Sequence, residues 1–170
     1  MPGLSQIAGI VEPLRSYNYE VILPREFGDS ARLRYQVRNV EFPVWWNLKV
    51  EEVRRQNLGK WYLPVDFEKG TDISIEFWES EDLAVQSYFN SWRDKIVSEQ
   101  VIGEINRELV SVPREWMKDV EVILLNASGS EVKRYQLVNC YPAEMAVGRL
   151  DYGGSELVLV TVTLITHGVR

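Results

Sequence analysis

Residues 71–97, TDISIEFWESEDLAVQSYFNSWRDKIV, change their hydrophobic period halfway along the stretch. In the first half, Ile73, Ile75 and Phe77 alternate with polar residues, as in a strand with one buried face. In the second half an apolar residue recurs every three or four positions, which is the period of an amphipathic helix. These apolar residues are Val85, Tyr88, Phe89, Trp92 and Ile96. The stretch therefore predicts a strand and one helix, at about residues 81–97, that packs on a sheet.

Four carboxylates lie where the two patterns meet: Glu76, Glu79, Glu81 and Asp82. Paired carboxylates can catalyse glycoside hydrolysis, so a carboxylate-dependent enzyme is one hypothesis. Their positions favour structural roles instead, because Glu76 falls on the polar face of the strand. Ser80 is a typical N-cap residue and would place Glu81 and Asp82 in the first helical turn. The helix dipole favours negative charge there.

The rest of the sequence carries no recognised catalytic motif, and it predicts no catalytic residue, no cofactor and no metal site. The one histidine, His167, lies three residues from the end of the sequence. The one cysteine, Cys140, sits in a strand-like run, where a small buried apolar role is commoner than a nucleophilic one. A zinc site would need more such ligands than these two. We therefore expect a protein that is not an enzyme.

Composition favours one soluble domain, residues 1–170. The formal net charge is −6 and basic residues are interspersed with acids, which argues against a sequence-specific DNA-binding protein. The single cysteine is typical of a reducing compartment, and the first residues lack the pattern of a signal peptide. The longest apolar run, near residues 157–165, is too short to cross a bilayer. We expect synthesis in a cytoplasm and no membrane association.

Further strands are predicted from runs with a period of two residues. These runs are 17–24, 32–43, 119–142 and 155–168. We expect the first two to pair as a hairpin, and the third to be a hairpin with its turn at NASGS. The last run is the longest strand expected, and both of its faces are apolar enough to be at least partly covered. The predicted fold class is mainly β (α+β), an antiparallel sandwich or barrel with one flanking helix.

Residues 44–66 predict an extended hairpin arm with aromatic residues at both ends. The aromatic residues are Trp45, Trp46, Trp61 and Tyr62. Two interpretations stay open for them: they complete the core, or they form an intersubunit surface, where Trp and Tyr are enriched. Residues 1–12 are expected to be flexible or to form a second intersubunit arm.

A family resemblance runs through residues 13–166. It is carried, in order, by PLRSYNYEVILP, VRNVEFP, DISIEFWESEDLAVQSYFNSWRDKI, VNCYPAEM and LDYGGSELVLVTVTLIT. Its most specific parts are the segment around Phe77–Trp92 and the pattern of Pro142, Asp151 and Ser155 before the final strand. Together these stretches resemble the tail tube proteins of contractile-tailed bacteriophages, including the related tube-initiator proteins of the baseplate. Type VI secretion tubes and pyocin-like particles share this fold.

The resemblance implies a structural protein of the phage tail, assembled in the host bacterial cytoplasm. Six copies would form a ring by joining their sheets edge to edge, and stacked rings would form a tube inside a contractile sheath. The implied partners are further copies of the chain, the sheath, and baseplate hub, tube or initiator proteins. DNA would pass through the lumen without specific binding. Trp45, Trp46, Trp61 and Tyr62 then become candidates for contacts between subunits or rings.

Three alternatives stay open at this point. A tube initiator at the baseplate would share the family pattern with the main tube protein. The carboxylate enzyme predicts a cleft that holds two acids about 5–10 Å apart. A monomeric β-sandwich that binds a ligand predicts a groove lined by the aromatic residues of 44–66.

Overall fold

The computed structural model describes residues 18–43, 47–55, 59–68, 70–97, 113–148 and 157–170. Residues 1–12 lie outside the described residues, so the arm expected there stays a prediction. The described strands are β1 (Tyr19–Ile22), β2 (Val37–Glu41), β3 (Asn47–Arg55), β4 (Gly59–Glu68), β5 (Asp72–Trp78), β6 (Lys118–Leu125), β7 (Glu131–Val147), β8 (Leu159–Ile165) and β9 (Gly168–Val169). The described helices are α1 (Ser30–Leu33), α2 (Ala84–Ile96) and α3 (Pro113–Trp116), and Arg25–Phe27 form a 3-10 turn.

Seven of the described strands form one antiparallel sheet in the order β1-β6-β7-β8-β5-β2, with β9 paired to β7. The remaining two, β3 and β4, pair with each other as a separate two-stranded sheet. The mainly β fold with antiparallel strands and one longer flanking helix is therefore confirmed. The hairpin predicted within 119–142 is also confirmed, because β6 and β7 pair through the turn between them.

Strand β7 belongs to both halves of this sheet because it bends at a bulge. Before the bulge β7 pairs with β6, and after it with β8. Asn139 adopts a left-handed conformation with φ 53°, which asparagine tolerates better than most residues. Its backbone N–H donates to Asp119 Oδ1 at 3.0 Å, and the His167 N–H donates to the Val138 carbonyl at 3.0 Å. The backbone groups freed by the bulge thus keep partners.

Two expectations about the strands are wrong. The runs 17–24 and 32–43 do not pair with each other: β1 pairs with β6 and β2 with β5. Part of the second run forms α1, where the Asp29 side chain accepts the Arg32 N–H at 3.2 Å and Leu33 is buried. This local cap outweighs the alternating pattern. The longest described strand is β7, with 17 residues, since the bulge lets it continue past one half of the sheet; β8 has 7.

The core lies between the two halves of the folded sheet and the inner side of α2. Inward residues of β1, β5, β6, β7 and β8 form one cluster with the helix. The predicted helical stripe is confirmed, with Val85, Tyr88, Phe89 and Trp92 buried and Ile96 packed against the cluster. The Trp92 ring stacks on Phe27 with 4.7 Å between centroids, and its indole N–H donates to the Trp116 carbonyl at 2.7 Å.

The β3–β4 hairpin stands apart from this core. Its register pairs Val50 with Pro64 and Glu52 with Tyr62, and its two strands contact chiefly each other. Leu48 and Val50 are exposed, and Tyr62 is 66% exposed. Strands β3 (Asn47–Arg55) and β4 (Gly59–Glu68) cover most of the predicted 44–66 arm.

Candidate assembly surfaces

Glu79, one of the four junction carboxylates, is the residue that caps α2. Its two carboxylate oxygens accept the backbone N–H groups of Val85 and Gln86, each at 3.1 Å. The helix begins at Ala84, after Leu83 in a left-handed conformation with φ 55°. The predicted N-cap at Ser80 is therefore wrong. Glu79 itself lies before the helix. Its backbone N–H donates to the Val158 carbonyl at 2.8 Å, and this bond holds Glu79 beside the first helical turn.

The other three junction acids are paired with neighbouring side chains or exposed. Glu76 is on the polar face of β5, as predicted, and forms an ion pair with Arg38 at 3.3 Å. Asp82 accepts hydrogen bonds from Arg32 Nη2 at 2.9 Å and from the Ser80 hydroxyl at 2.6 Å, and these bonds lower the pKa of Asp82. Glu81 is exposed. Glu76 and Asp82 therefore take part in ion pairs and hydrogen bonds on the surface.

Cys140 and His167 also take structural positions. Cys140 is fully buried, its thiol donates to the Leu137 carbonyl at 3.4 Å, and burial raises its pKa to about 11. A thiol with so high a pKa is a poor nucleophile at neutral pH. The His167 ring Nδ1 lies 3.0 Å from the Asn139 carbonyl, beside the bulge of β7. Among the described residues no group of three or more His, Cys, Asp or Glu is placed to hold a metal ion.

A polar surface covers the side of β2, β5, β8 and the second half of β7 that faces away from the core; we name it the outer face. Strand register places its side chains in rows across four strands. One row is Glu41, Ser74, Thr163 and Glu144, and the next is Asn39, Glu76, Thr161 and Ala146. All eight are half-buried or exposed, whereas Val160, Val162 and Leu164 on the opposite side of β8 are buried. Short polar side chains and carboxylates therefore dominate this face.

The sheet ends in two strands that each have one described neighbour. β1 pairs with β6 and β2 with β5, and no other described strand pairs with either. An edge strand presents unpaired N–H and C=O groups, which invite pairing with another chain. Both edges are short, with 4 residues in β1 and 5 in β2.

The aromatic candidates of the hairpin are only partly visible. Trp45 and Trp46 lie outside the described residues. Trp61 is in β4 opposite Val53, and Tyr62 is the next residue, with its side chain exposed. The exposure of Tyr62 argues against a core role within its own chain. For the three Trp residues, the choice between a core role and an intersubunit surface stays a prediction. Sequence reasoning missed two further exposed aromatic residues, Tyr35 and Trp78, which lie within runs predicted as strands.

The profile of the T4-like virus tail tube protein gp19 family matches residues 47–170. The chain belongs to this family. This confirms the resemblance to tail tube proteins, and the family is one of structural tube proteins, not enzymes. A search of curated proteins gives no match. No helix in the described part of the chain is long and apolar enough to cross a membrane.

Solved structures of contractile injection systems have the same fold. One is the tube-terminating cap of the anti-feeding prophage, with 16% identity and a TM-score of 0.64, covering 100% of this chain and 97% of that one. Another comes from a sheath–tube complex of the extracellular contractile injection system PVC, with 16% identity, a TM-score of 0.60 and the same coverages. A third comes from the anti-feeding prophage baseplate, with 17% identity, a TM-score of 0.58 and coverages of 95% and 96%.

Proposed function

We propose that the chain is the subunit of a hexameric ring in the inner tube of a contractile tail, through which the genome is delivered. The observation that carries the proposal is the open sheet of a tail tube family member, with β1 and β2 at its two ends. Pairing the β1 edge of one copy with the β2 edge of the next uses both edges in each copy. Such a head-to-tail contact between copies closes into a ring when its rotation allows.

In this proposal the outer face lines the channel. Glu41, Glu76 and Glu144 would project toward the lumen, with Arg38 already paired to Glu76. Carboxylates repel the phosphates of DNA, and short Ser and Thr side chains leave the wall smooth. DNA would then pass without specific binding.

In this proposal the β3–β4 hairpin makes contacts beyond the ring, and other proteins bind the assembled tube. Trp45, Trp46, Trp61 and Tyr62 are the anchors we propose for contacts between subunits or rings. A two-stranded hairpin is marginally stable in water by itself, so an exposed one is suited to dock on a neighbouring copy. The proposed partners are the sheath and the baseplate, in line with the sheath–tube and baseplate origin of the structures that share the fold. The site of action is then the virion tail, after assembly in the host cytoplasm.

The oligomeric state tests this proposal directly. Purified protein is expected to form rings of six copies, seen by negative-stain microscopy and weighed by native mass spectrometry. A species that stays monomeric at every concentration contradicts it and favours the monomeric binding module. Rings that elongate alone fit a main tube protein. Rings that never elongate alone, but seed tubes when a second protein is added, would assign the tube-initiator role instead.

Charge reversal tests the channel wall. Glu144→Lys adds positive charge on the outer face, and Glu115→Lys makes the same change at an exposed position on α3. Rings of the first variant are expected to retain short duplex DNA at low salt in a gel-shift assay, and to lose it as salt rises. Rings of the second are expected to behave as the unaltered protein. Equal retention by both variants would contradict the assignment of the outer face to the lumen.

A further inference from the structure

An exposed aromatic pair lies at one end of the outer face. Trp78 is the last residue of β5, and its backbone N–H donates to the Gln36 carbonyl at 2.8 Å. Tyr35 is the residue before Gln36, so the backbones of Tyr35 and Trp78 lie close together. Tyr35 is 80% exposed and Trp78 is 40% exposed. Leu159 lies directly opposite Trp78 on β8, and Leu157, two residues earlier, is 65% exposed. We name Tyr35, Trp78 and Leu157 the aromatic end.

The aromatic end carries polar groups that lack partners within the described residues. Neither the Trp78 indole N–H nor the Tyr35 hydroxyl makes a hydrogen bond there. Trp and Tyr combine a large apolar area with one donor, which is why they dominate the energetics of protein interfaces. The pair therefore suits a surface that offers both an apolar wall and a hydrogen-bond acceptor.

A cavity with those properties lies at the opposite end of the same strand. Its volume is about 340 Å³, and its lining includes Phe42, Pro43, Thr71, Asp72 and Glu41. Pro43 is buried and the Phe42 ring packs on Tyr135 with 5.4 Å between centroids, so these two residues give the cavity an apolar wall. Glu41 and Asp72 are exposed acceptors on its rim. We name it the Phe42 cavity.

The aromatic end and the Phe42 cavity share one face of the sheet. β5 runs from Asp72 beside the cavity to Trp78, a separation of roughly 20 Å for six steps of about 3.3 Å. Ser74 and Thr163, which also line the cavity, belong to the outer face that ends at Trp78. When a second copy is placed beyond the first along the strand direction, the aromatic end of one copy meets the Phe42 cavity of the other. The outer faces of the two copies then form one continuous surface.

We propose that the aromatic end of one copy docks in the Phe42 cavity of a second copy in the adjacent ring. The contact joins different surfaces of identical chains, and such a contact that does not close on itself builds an open filament. The donors of Trp78 and Tyr35 then meet the carboxylates of Asp72 and Glu41. The proposal rests on the proposed tube function, to which it adds the polarity of stacking and the residues that fix it.

Cross-linking between copies tests the contact itself. Tyr35→Cys combined with Thr71→Cys places one accessible thiol on each surface and keeps Trp78, while the native Cys140 is buried. A short bismaleimide is expected to produce a ladder of dimers and larger multimers on a denaturing gel. The matched control, Tyr35→Cys with Ser128→Cys in the β6–β7 turn, is expected to give none. No ladder from the first pair, or equal ladders from both, overturns the proposal.

Substitution of Trp78 tests its effect on assembly. Rings of Trp78→Ala are expected to form normally and to give at least tenfold fewer stacked tubes by microscopy, whereas Val132→Ala, an exposed change on β7, leaves stacking intact. Normal tubes from Trp78→Ala overturn the proposal. A different outcome is that tubes form only when a second protein is added, with the Tyr35→Cys thiol cross-linking to that protein. This result also overturns the proposal and assigns the aromatic end to that partner. If the unaltered protein forms no rings, that result counts against the proposed function. The cross-linking ladder still tests the contact between the aromatic end and the Phe42 cavity.

Discussion

Helix α2 and the β3–β4 hairpin have opposite surroundings within one chain. The helix buries Val85, Tyr88, Phe89 and Trp92 in a core to which most strands of the main sheet contribute. The hairpin exposes Leu48, Val50 and Tyr62, and its strands contact chiefly each other. Both segments contain aromatic and aliphatic residues in quantity, so composition does not separate them. What separates them is whether the chain supplies the partner surface itself.

This contrast divides the expected effects of mutation into two kinds. Changes under α2 remove contacts that exist in a single chain, so they lower the free energy of unfolding of the monomer. Changes on the hairpin remove surface that needs a second copy, so they weaken assembly and leave the monomer fold intact. Three substitutions test this division, and a fourth tests an exposed ion pair that belongs to neither region.

The largest effect is expected at Trp92. Trp92→Ala removes a fully buried ring that stacks on Phe27 and leaves the Trp116 carbonyl without its donor. Loss of such a ring costs about 3–5 kcal/mol of unfolding free energy, measured by urea denaturation of monomeric protein. Trp78→Ala, the same change at a ring that is 40% exposed, is the control and is expected to cost clearly less than Trp92→Ala. Equal losses would contradict the placement of the core under α2.

A smaller effect is expected at the junction between β5 and α2. Glu79→Ala removes both acceptors of the first helical turn, held at 3.1 Å, and is expected to cost about 1–2 kcal/mol. Glu81→Ala, an exposed acid two residues away, is expected to change stability by less than about 0.5 kcal/mol. Denaturant titration of the two variants separates them. A larger loss for Glu81→Ala than for Glu79→Ala would contradict the assignment of Glu79 as the cap of α2.

The junction shows which parts of the fold a sequence can predict. The stripe of α2 and the β6–β7 hairpin were predictable because both depend on residues close together in the chain. Glu79 as the cap was not, since its position depends on Leu83 in a left-handed turn and on the Val158 carbonyl, 79 residues further along. A statistical N-cap preference pointed to Ser80 instead.

Long-range pairing limited the prediction in the same way. The alternation of β1 and β2 indicates strands, but it does not say that β1 pairs with β6 and β2 with β5. The rows of the outer face appear only once four strands are set in register, as with Glu41, Ser74, Thr163 and Glu144. Tyr62 could be proposed as a contact residue from composition alone, whereas Trp78 gained interest only from its exposure and its place at the strand end.

The hairpin itself provides the sharpest test of the contrast. Tyr62→Ala is expected to change the unfolding free energy of the monomer by less than about 0.5 kcal/mol, because the side chain is 66% exposed. The same variant is expected to shift the monomer–oligomer equilibrium toward monomer in sedimentation velocity, while Tyr62→Phe keeps most of the assembly. A loss of 2 kcal/mol or more in the monomer (about the cost of uncovering a core side chain) would mean that the hairpin packs on its own body.

The smallest effect is expected at an exposed ion pair of the body. The Arg32 guanidinium, followed by the Ser80 hydroxyl, holds the pKa of Asp82 below its ordinary value. Since the folded pKa is the lower one, the stabilisation is present above the ordinary aspartate pKa and is lost as pH falls through the lowered one. Arg32→Gln is expected to return the pKa of Asp82 toward its ordinary value in an NMR titration. Because the pair is exposed, stability at neutral pH should barely change. An unchanged Asp82 titration in Arg32→Gln would show that the pair does not form in solution.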